Sequence, residues 1–383
     1  MDIFNLLKSR NYSFSQAFNE LAEKYNAINM AQEYNDFPCN IHLQESLLDV
    51  VKNNIHKQAP VHGVMELRQA ISKLYKKEYN VEYSPETEVT ISSGAIQAIY
   101  TTITSLIKEG DEVLLFEPTY GYYVRAIEER GGRPIFVKLE YPDFKIEWEN
   151  VRKRITAQTK MIIINTPHNP SGTLLSSDDL VSLQRIINGT NIVILSDEVY
   201  RNFIFDTKKH TVPSQFDILR ENSIIISSLG RSYNVSGWKV GYVLANAKYS
   251  NIYRNTQFYQ QSSVNTPMQY TFANFINNNI LTDNCDNNSI YKSKRDLFLE
   301  GLKDTKFKAI PTKGTYFQLV DFSEVSDESE YEFAIRLAKE YNVLAMPLSV
   351  FYHDTVDNKI LRFNFALDDD KLMRAIESLK KVK

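Results

Sequence analysis

The sequence has little cysteine: its two cysteines, Cys39 and Cys285, lie far apart in a chain of 383 residues. They form neither the close pairs that ligate zinc nor the framework of a disulfide-bonded domain, which suits a reducing compartment. The chain also lacks an apolar run of the roughly 18 residues that a membrane span needs. Its first residues, MDIFNLLKSRNYSF, lack the apolar core of a secretion signal. A soluble, cytoplasmic protein is therefore expected.

Charge of one sign is not in excess either. The 44 Lys and Arg residues nearly balance the 47 Asp and Glu residues, which gives a net charge of −3. The basic residues are scattered, so neither nucleic acid nor an anionic membrane is an expected partner. No metal site is predicted, because the two cysteines lack metal-ligand spacing. The hydrophobic and charged fractions, 43% and 24%, are typical of a globular protein. A chain of this length exceeds one ordinary core, so two lobes are expected.

Short apolar runs alternate with amphipathic segments in residues 88–245. The continuously apolar runs MIIIN and NIVILS are typical of strands covered on both faces. Helices are predicted over Ala95–Leu106 and Asp178–Ile187, the second opened by Ser176 with Asp179 as a capping box. This alternation predicts an α/β fold with a mainly parallel sheet between helices. The predicted strands are Val89–Ser92, Glu112–Phe116, Pro134–Val137, Met161–Asn165, Asn191–Leu195, Ser223–Ser227 and Tyr242–Ala245.

The pattern changes from about Tyr291. A helix, the run GTYFQLVDF, a helix over Tyr331–Tyr341 and the runs VLAMPL and KILRFNFAL follow one another. This order predicts a smaller α+β lobe, with which the N-terminal segment up to about Pro38 is expected to pack. The Asn-rich stretch Asn277–Asn288 is interpreted as a connection between lobes. The predicted boundaries are 46–282 for the large lobe and 1–45 with 283–383 for the small one.

Polar or aromatic groups follow several predicted strands, at the sheet edge where ligands of parallel sheets gather. In ISSGAIQA, Gly94 and Ala95 open a helix whose free amides and dipole favour a phosphate. In EPTYGYY, Tyr120 follows a strand and could stack on a planar ring. In NTPHNPSG, the amide of Asn169 could bond a ring hydroxyl. Each has an ordinary alternative: a strand-to-helix turn, aromatic packing and a proline-rich loop.

A fourth strand end is more specific, because SDEVY places Asp197 at the end of a buried strand with Tyr200 three residues later. A buried carboxylate is costly unless it meets a cation, and a protonated pyridine nitrogen is such a cation. The alternative is an aspartate that caps a helix. In SSLGRSYNVSGWKVGY, Ser228 offers a hydroxyl and Lys239 a positive charge to a phosphate. Together and in this order, the five elements predict a site for a phosphorylated pyridine.

The chain resembles the class I/II aminotransferases of the pyridoxal-phosphate (PLP) fold type I, and is most similar to their methionine and kynurenine aminotransferase subgroup. The resemblance runs from about Phe14 to the C-terminus through INMAQ, APVHGV, SSGAIQA, NTPHNPSG, SDEVY, SGWKVGY, GTYF, PLSVF and LRFNFA. It implies a large lobe with a mainly parallel seven-stranded sheet and a smaller α+β lobe. It also implies PLP or pyridoxamine phosphate as cofactor, an amino acid and a 2-oxo acid as ligands, and a homodimer with sites at the interface.

The resemblance assigns roles to the candidate residues. The implied phosphate ligands are Gly94, Ala95, Ser228 and Lys239. Tyr120 is implied to stack on the ring, and Asp197 to pair with the ring nitrogen. Asn169 and Tyr200 are the implied partners of the ring oxygen. Asp197 and Tyr200 are also implied to act in catalysis. Asn169 contacts the substrate too, and Arg362, in LRFNF, clamps its α-carboxylate with a two-pronged hydrogen bond. The alternative for Arg362 is a salt bridge between lobes.

Arg231 departs from the family, which has at this position the lysine that forms the Schiff base with PLP and then shuttles a proton. A guanidinium stays charged and is a poor nucleophile, so the lysine route is not expected here. Glu33, in MAQEYN, aligns with a family glycine near the substrate carboxylate, which a second carboxylate would repel. Gln58 aligns with a tyrosine that reaches the phosphate of the partner subunit, and Ile96 aligns with a frequent threonine.

Three functions are left open by these departures. The first is a working aminotransferase whose pocket compensates for Arg231. The second is a homologue that binds PLP, pyridoxamine phosphate or a PLP–amino-acid adduct without efficient turnover and acts in binding or regulation. The third uses noncovalent PLP for different chemistry with Glu33, His62 or His168 as base, although each of these is also explained as an ordinary polar residue. We predict that the cofactor pocket persists while ordinary transamination is slow or absent.

Overall fold

The computed structural model describes residues 14–206, 210–279, 288–354 and 356–383. Most of the predicted connection Asn277–Asn288 lies outside these ranges, as do Cys285 and the first 13 residues. Cys39 is a free, partly buried thiol. Within the described ranges, no helix is both long enough and apolar enough to cross a membrane.

The described strands form a large sheet and two smaller ones. In chain order they are β1 (Ile28–Asn29), β2 (Val89–Ser92), β3 (Glu112–Glu117), β4 (Arg133–Lys138), β5 (Thr159–Asn165), β6 (Val193–Asp197), β7 (Ser223–Ser228), β8 (Gly241–Ala245), β9 (Lys308–Ala309), β10 (Phe317–Asp321), β11 (Val343–Leu344), β12 (Met346–Pro347) and β13 (Ile360–Asn364). Seven of these described strands form the large sheet, in the order β2-β8-β7-β6-β5-β3-β4. β8 runs antiparallel to both neighbours, and the other neighbouring pairs are parallel. The predicted α/β fold with a mainly parallel sheet is confirmed.

The helices lie between these strands in the chain. In order, the described helices are α1 (Phe14–Tyr25), α2 (Ile41–Lys52), α3 (Met65–Tyr79), α4 (Ala95–Leu106), α5 (Gly121–Glu128), α6 (Trp148–Arg154), α7 (Ser177–Ile187), α8 (Asp217–Asn222), α9 (Leu229–Ser232), α10 (Ala247–Gln260), α11 (Thr266–Asn279), α12 (Asn288–Leu302), α13 (Glu330–Tyr341) and α14 (Asp369–Leu379). The predicted capping box of α7 is confirmed, because Ser176 and Asp179 each accept a hydrogen bond from the other's backbone amide.

Hydrophobic cores cover both faces of the large sheet. Neighbouring side chains of a strand point to opposite faces, and on β3 Leu114 packs into one core while Val113 packs into another. Leu180 of α7 belongs to the first core and Ala98 of α4 to the second. Because helices cover both faces, the central residues of β5 and β6 are continuously apolar and buried, as the runs MIIIN and NIVILS predict.

The smaller sheets are built mainly from strands in the C-terminal part of the chain. β12, β13, β10 and β9 form an antiparallel sheet, in which β13 carries Arg362. β1, from the N-terminal segment, pairs in parallel with β11. The division into a large lobe of residues 46–282 and a small lobe of the remaining residues stays a prediction.

Gly63, between α2 and α3, occupies a place where no side chain fits. Its φ is +92°, and an added Cβ would lie 2.2 Å from Ile91 Cγ1 and 2.8 Å from Gln269 Oε1. The same Oε1 accepts a hydrogen bond from the Val64 amide at 2.8 Å. We expect Gly63→Ala to lower the free energy of unfolding by roughly 2–4 kcal/mol, because backbone strain and overpacking add. Urea denaturation measures this loss.

Gly189 offers a matched control for this variant. Its φ is +76°, but nothing lies within 4 Å of the position that a Cβ would take. Gly189→Ala is therefore expected to cost only the backbone part, about 1 kcal/mol. Equal losses in the two variants would contradict the steric role of Ile91.

Candidate active site

Residues at or just after the carboxyl ends of β2, β5, β6 and β7 line one cavity of about 400 Å³. This volume lies in the usual range of small-ligand pockets, roughly 300–1,000 Å³, and the location is the one at which open α/β sheets bind ligands. Glu33 and Ile96 line it as well. Of the candidate residues predicted from the sequence, the cavity brings together Gly94, Ala95, Tyr120, Asn169, Asp197, Tyr200, Ser228, Arg231 and Lys239.

The start of α4 forms one end of the cavity. Gly94 precedes the helix with a φ of +80°, and no described side chain caps the first turn. The first amides of α4 are therefore available to an anion, and the helix dipole favours its charge. Lys239 lies beside this turn, with its Cδ 3.8 Å from the position of a Cβ added to Gly94. This end of the cavity fits a phosphate group.

Asp197, the last residue of β6, places a buried carboxylate in the cavity wall. The residue is only 6% exposed. The hydroxyl of Tyr123 donates a hydrogen bond to Oδ2 at 2.5 Å, and the amide of Val199 donates to Oδ1 at 3.1 Å. Burial raises the pKa of Asp197, although these hydrogen bonds and Arg231 oppose the rise. Such a carboxylate is stabilised by a nearby cation, and a protonated ring nitrogen in the cavity would supply one.

Asn169 and Tyr200 are both buried in the same wall. The Asn169 backbone amide donates to Asn165 Oδ1 at 2.7 Å, which fixes the loop after β5. Its side-chain Oδ1 accepts a hydrogen bond from Arg362 Nη1 at 2.7 Å, so its amide nitrogen remains to meet a ring oxygen. Burial raises the pKa of Tyr200 well above its ordinary value, so this phenol stays a protonated donor.

Arg231 is a fixed and charged group in this cavity. It lies in the short helix α9, where its amide donates to Ser228 Oγ at 3.2 Å. Its Nη1 donates to the backbone carbonyl of Glu33 and to the hydroxyl of Tyr316, and its Cζ is 5.7 Å from the ring centroid of Tyr200. Burial alone would lower the pKa of Arg231, but Tyr316, Tyr200 and Glu33 outweigh it and raise the pKa. No neutral amine is present at this position.

Arg362, on β13, is completely buried behind Asn169 and is not itself part of the cavity lining. Its Nη2 donates to the Ala31 carbonyl at 3.2 Å, and its Cζ lies 3.9 Å from the ring centroid of Phe317. Burial lowers the pKa of Arg362, and the charge of Glu33 opposes this. Glu33 Oε1 is 3.7 Å from Nη1, whereas Nε has no hydrogen-bond partner among the described residues.

Gln58, His62 and His168 do not line the cavity. Gln58 is exposed, His62 is half-buried and His168 is buried. Burial lowers the pKa of both histidines, that of His168 to about 4. Of the three bases weighed for different chemistry, Glu33 is therefore the one that lines the cavity. In the described part of the chain, no group of three or more His, Cys, Asp or Glu side chains could hold a metal ion.

Two tyrosines that the sequence does not single out, Tyr123 and Tyr316, contact residues of the site. Tyr123 holds Asp197, and its place three residues after Tyr120, within one helical turn, was the available signal. The hydroxyl of Tyr316 donates to the Glu33 carbonyl at 2.9 Å and accepts from Arg231. Its motif, GTYF, contains no polar pattern that points to this contact.

Glu198, next to Asp197, is expected to make stability depend on pH. It is fully buried and accepts hydrogen bonds from Tyr75 at 3.1 Å and Ser196 at 3.0 Å. Burial raises the pKa of Glu198 from 4.5 to about 8. The folded protein thus keeps a proton that the unfolded chain loses, and the free energy of unfolding falls as pH rises from about 4.5 to about 8. The slope is at most about 1.4 kcal/mol per pH unit.

Glu198→Gln is expected to remove this contribution. The variant should therefore gain stability relative to the wild type as pH rises through this window, because the neutral amide has no proton to lose. Urea denaturation of both proteins at several pH values measures the difference. Parallel pH profiles would show that Glu198 does not titrate in this range.

Comparison with known proteins connects this site to one family. The family profile described as Aminotransferase class I and II matches residues 26–379. Methionine aminotransferase of Escherichia coli (strain K12) is 36% identical over 367 residues, covering 94% of this chain and 94% of that protein. Kynurenine–oxoglutarate transaminase of Dictyostelium discoideum is 30% identical over 406 residues, covering 96% and 93%. The solved structure of Escherichia coli YbdL, described as having a methionine aminotransferase function, matches with a TM-score of 0.94 and 34% identity over 98% of each chain.

Proposed function

Because the chain belongs to the class I and II aminotransferase family, whose members use PLP or pyridoxamine phosphate as cofactor, we propose that it binds this cofactor noncovalently, together with an amino acid or 2-oxo acid. The proposal is carried by the buried Asp197 carboxylate, which shares one cavity with the uncapped start of α4. Gly94 and Lys239 would meet the phosphate there, and Asp197 the ring nitrogen. When bound, the protonated pyridine ring acts as an electron sink for the amino acid.

Position 231 decides which chemistry the chain itself can perform. The Arg231 guanidinium stays charged and donates to Glu33 and Tyr316. Such a group neither attacks an aldehyde nor accepts a proton from a carbon atom at neutral pH. We therefore propose that the lysine route is absent and that transamination is slow. General acid–base groups contribute roughly 10²–10⁴-fold to such rates.

A second candidate function is a binding or regulatory role for the loaded pocket. It is favoured by the presence of both Arg231 and Glu33 in the lining of the cavity. These two residues would slow turnover, whereas the residues proposed to hold the phosphate and the ring nitrogen line the same cavity. A protein of this kind would respond to PLP or its amino-acid adducts without consuming them.

Cofactor titration tests the proposed binding. We expect saturable binding of both PLP and pyridoxamine phosphate, followed by absorbance and by quenching of protein fluorescence. After borohydride reduction, peptide mapping by mass spectrometry should find no cofactor fixed at position 231. A stoichiometric covalent adduct on any lysine of the chain would overturn the noncovalent proposal, and the absence of binding to either cofactor would overturn the site.

A single-turnover measurement separates the two candidate functions. The protein loaded with PLP is mixed with methionine, and the conversion of PLP to pyridoxamine phosphate is followed over time. A rate close to that of free PLP with methionine supports the binding or regulatory function. A rate about 10²-fold or more above it supports a working aminotransferase.

We also propose a homodimer located in the cytoplasm. Large apolar side chains of α2 are exposed on one helical face: Ile41 at 59%, Leu48 at 57% and Val51 at 59%. Exposed apolar patches of this kind mark interfaces between proteins. Sedimentation equilibrium is expected to give twice the 44.3 kDa of one chain, and a single-chain mass at micromolar concentration would contradict the dimer.

A further inference from the structure

Arg362 already has a carboxylate beside it that the protein itself supplies. Glu33 Oε1 lies 3.7 Å from Arg362 Nη1, and the hydroxyl of Tyr120 donates to Glu33 Oε2 at 3.4 Å. Glu33 lines the cavity, whereas Arg362 is completely buried behind the lining. A ligand that approaches Arg362 from the cavity therefore comes close to the Glu33 carboxylate.

Contacts of its own backbone keep Glu33 in this place. The Glu33 carbonyl accepts hydrogen bonds from the Tyr316 hydroxyl at 2.9 Å and from Arg231 Nη1. Glu33 is not among the described residues with positive φ, so its backbone accepts a side chain without strain. Its side chain is 23% exposed, which leaves the carboxylate partly within the cavity.

Resting on the proposed cofactor site, we propose that Glu33 is a specificity-determining residue, whose carboxylate takes the place of a ligand's α-carboxylate beside Arg362. Two carboxylates at this position repel each other, and the positive charge of Arg362 is already compensated by the Glu33 carboxylate. An amino acid therefore gains little affinity from its α-carboxylate. A ligand without a carboxylate on the carbon next to the amino group, such as a primary amine or the matching aldehyde, therefore binds about as tightly as an amino acid.

Removing the charge of Glu33 should create a preference for ligands that carry an α-carboxylate. In Glu33→Gln, Arg362 is a buried cation without an ionic partner, and a buried unpaired charge is unfavourable. A ligand carboxylate that reaches the guanidinium then restores the pairing. The amide of glutamine keeps the size of the side chain and an acceptor for the Tyr120 hydroxyl, so the change is confined to charge.

Two stable ligands that differ by one carboxylate test the proposal. They are the borohydride-reduced adducts of PLP with methionine and with 3-(methylthio)propylamine, the decarboxylated form of methionine. Calorimetry gives the affinity of each for the wild type and for E33Q. We expect the wild type to bind the two adducts with affinities within about 3-fold of each other. In E33Q the methionine adduct should become tighter than the amine adduct by about 10-fold or more.

The outcomes distinguish a failure of the role proposed for Glu33 from a failure of the proposed cofactor site. A wild type that already prefers the methionine adduct 10-fold or more (about 1.4 kcal/mol) overturns the proposal, even if E33Q does not fold. A folded E33Q with the wild-type ratio also overturns it. Glu377→Gln, an exposed site in α14, is the matched control and should keep the wild-type ratio. If neither adduct nor pyridoxamine phosphate binds the wild type, the proposed function fails; if pyridoxamine phosphate binds, only the role of Glu33 is at stake.

Discussion

Arg231→Lys is expected to turn reversible cofactor binding into covalent attachment, with about one cofactor per chain fixed at position 231 by borohydride. The side chain at this position extends from α9 into the cavity, close to Tyr200 and Tyr316. A lysine placed there loses two hydrogen bonds of the guanidinium but supplies an amine, which can lose its proton and react with an aldehyde. Peptide mapping after reduction gives the attachment site and the yield.

Two control variants isolate the amine as the cause. Arg231→Gln removes the positive charge without supplying a nucleophile, so it should bind PLP and give no adduct. Lys239 is the one lysine among the described residues that line the cavity. Lys239→Arg in the Arg231→Lys background should leave the yield at position 231 unchanged if the phosphate still binds. An adduct that peptide mapping finds on Lys239 in Arg231→Lys would place the reactive amine there instead.

Turnover should recover less than covalent attachment does. A proton-carrying amine is expected to raise the rate of the half-reaction with methionine by roughly 10²–10⁴-fold over Arg231→Gln. Glu33 still opposes the α-carboxylate, so the double variant R231K/E33G should be faster than R231K by about 10-fold at low methionine concentration. Equal rates for the two variants would show that Glu33 does not limit the reaction of amino acids.

The large sheet could be predicted because apolar runs, which form its strands, alternate along the chain with amphipathic segments, which form helices. The limits of a strand depend on its neighbours, and the predicted strand Asn191–Leu195 is observed as Val193–Asp197. Val193 is the first residue of β6 to pair with β5, opposite Met161. The apolar run begins earlier than the pairing does, so composition alone placed the strand two residues too early.

Only those residues of the candidate site that follow directly from local sequence, at the ends of predicted strands, could be predicted. Parallel strands bring their carboxyl ends to one edge, which is why Asp197, Asn169 and Ser228 line the same cavity. The contact between Arg231 and the Glu33 carbonyl joins residues 198 positions apart. It depends on how the N-terminal segment packs near the sheet edge. No periodicity within either segment contains this information, so the fixed orientation of Arg231 could not be predicted.

Asp197→Asn is expected to lower the affinity for PLP by roughly 10- to 100-fold, because a charge-assisted hydrogen bond to the ring nitrogen contributes about 1.5–3 kcal/mol. The same change should leave the ligand-free protein within about 1 kcal/mol of wild-type stability, because it replaces a buried charge with a neutral group of similar shape. The asparagine oxygen can accept from the Val199 amide while its NH₂ group donates to the Tyr123 hydroxyl, so both contacts of Asp197 keep a partner. Affinity and stability therefore respond differently to this one substitution.

Two measurements on each protein separate a binding role from a structural one. Fluorescence titration with PLP gives the affinity, and urea denaturation without cofactor gives the stability. Asp143→Asn, whose aspartate side chain is 57% exposed, is the control and should change neither quantity. A variant at Asp197 that binds PLP as tightly as the wild type would contradict the pairing with the ring nitrogen. A variant at Asp197 that loses several kcal/mol of stability without cofactor would instead identify Asp197 as a structural residue at the end of β6. A carboxylate retained for binding is expected to destabilise the empty site, so replacing it should not cost stability.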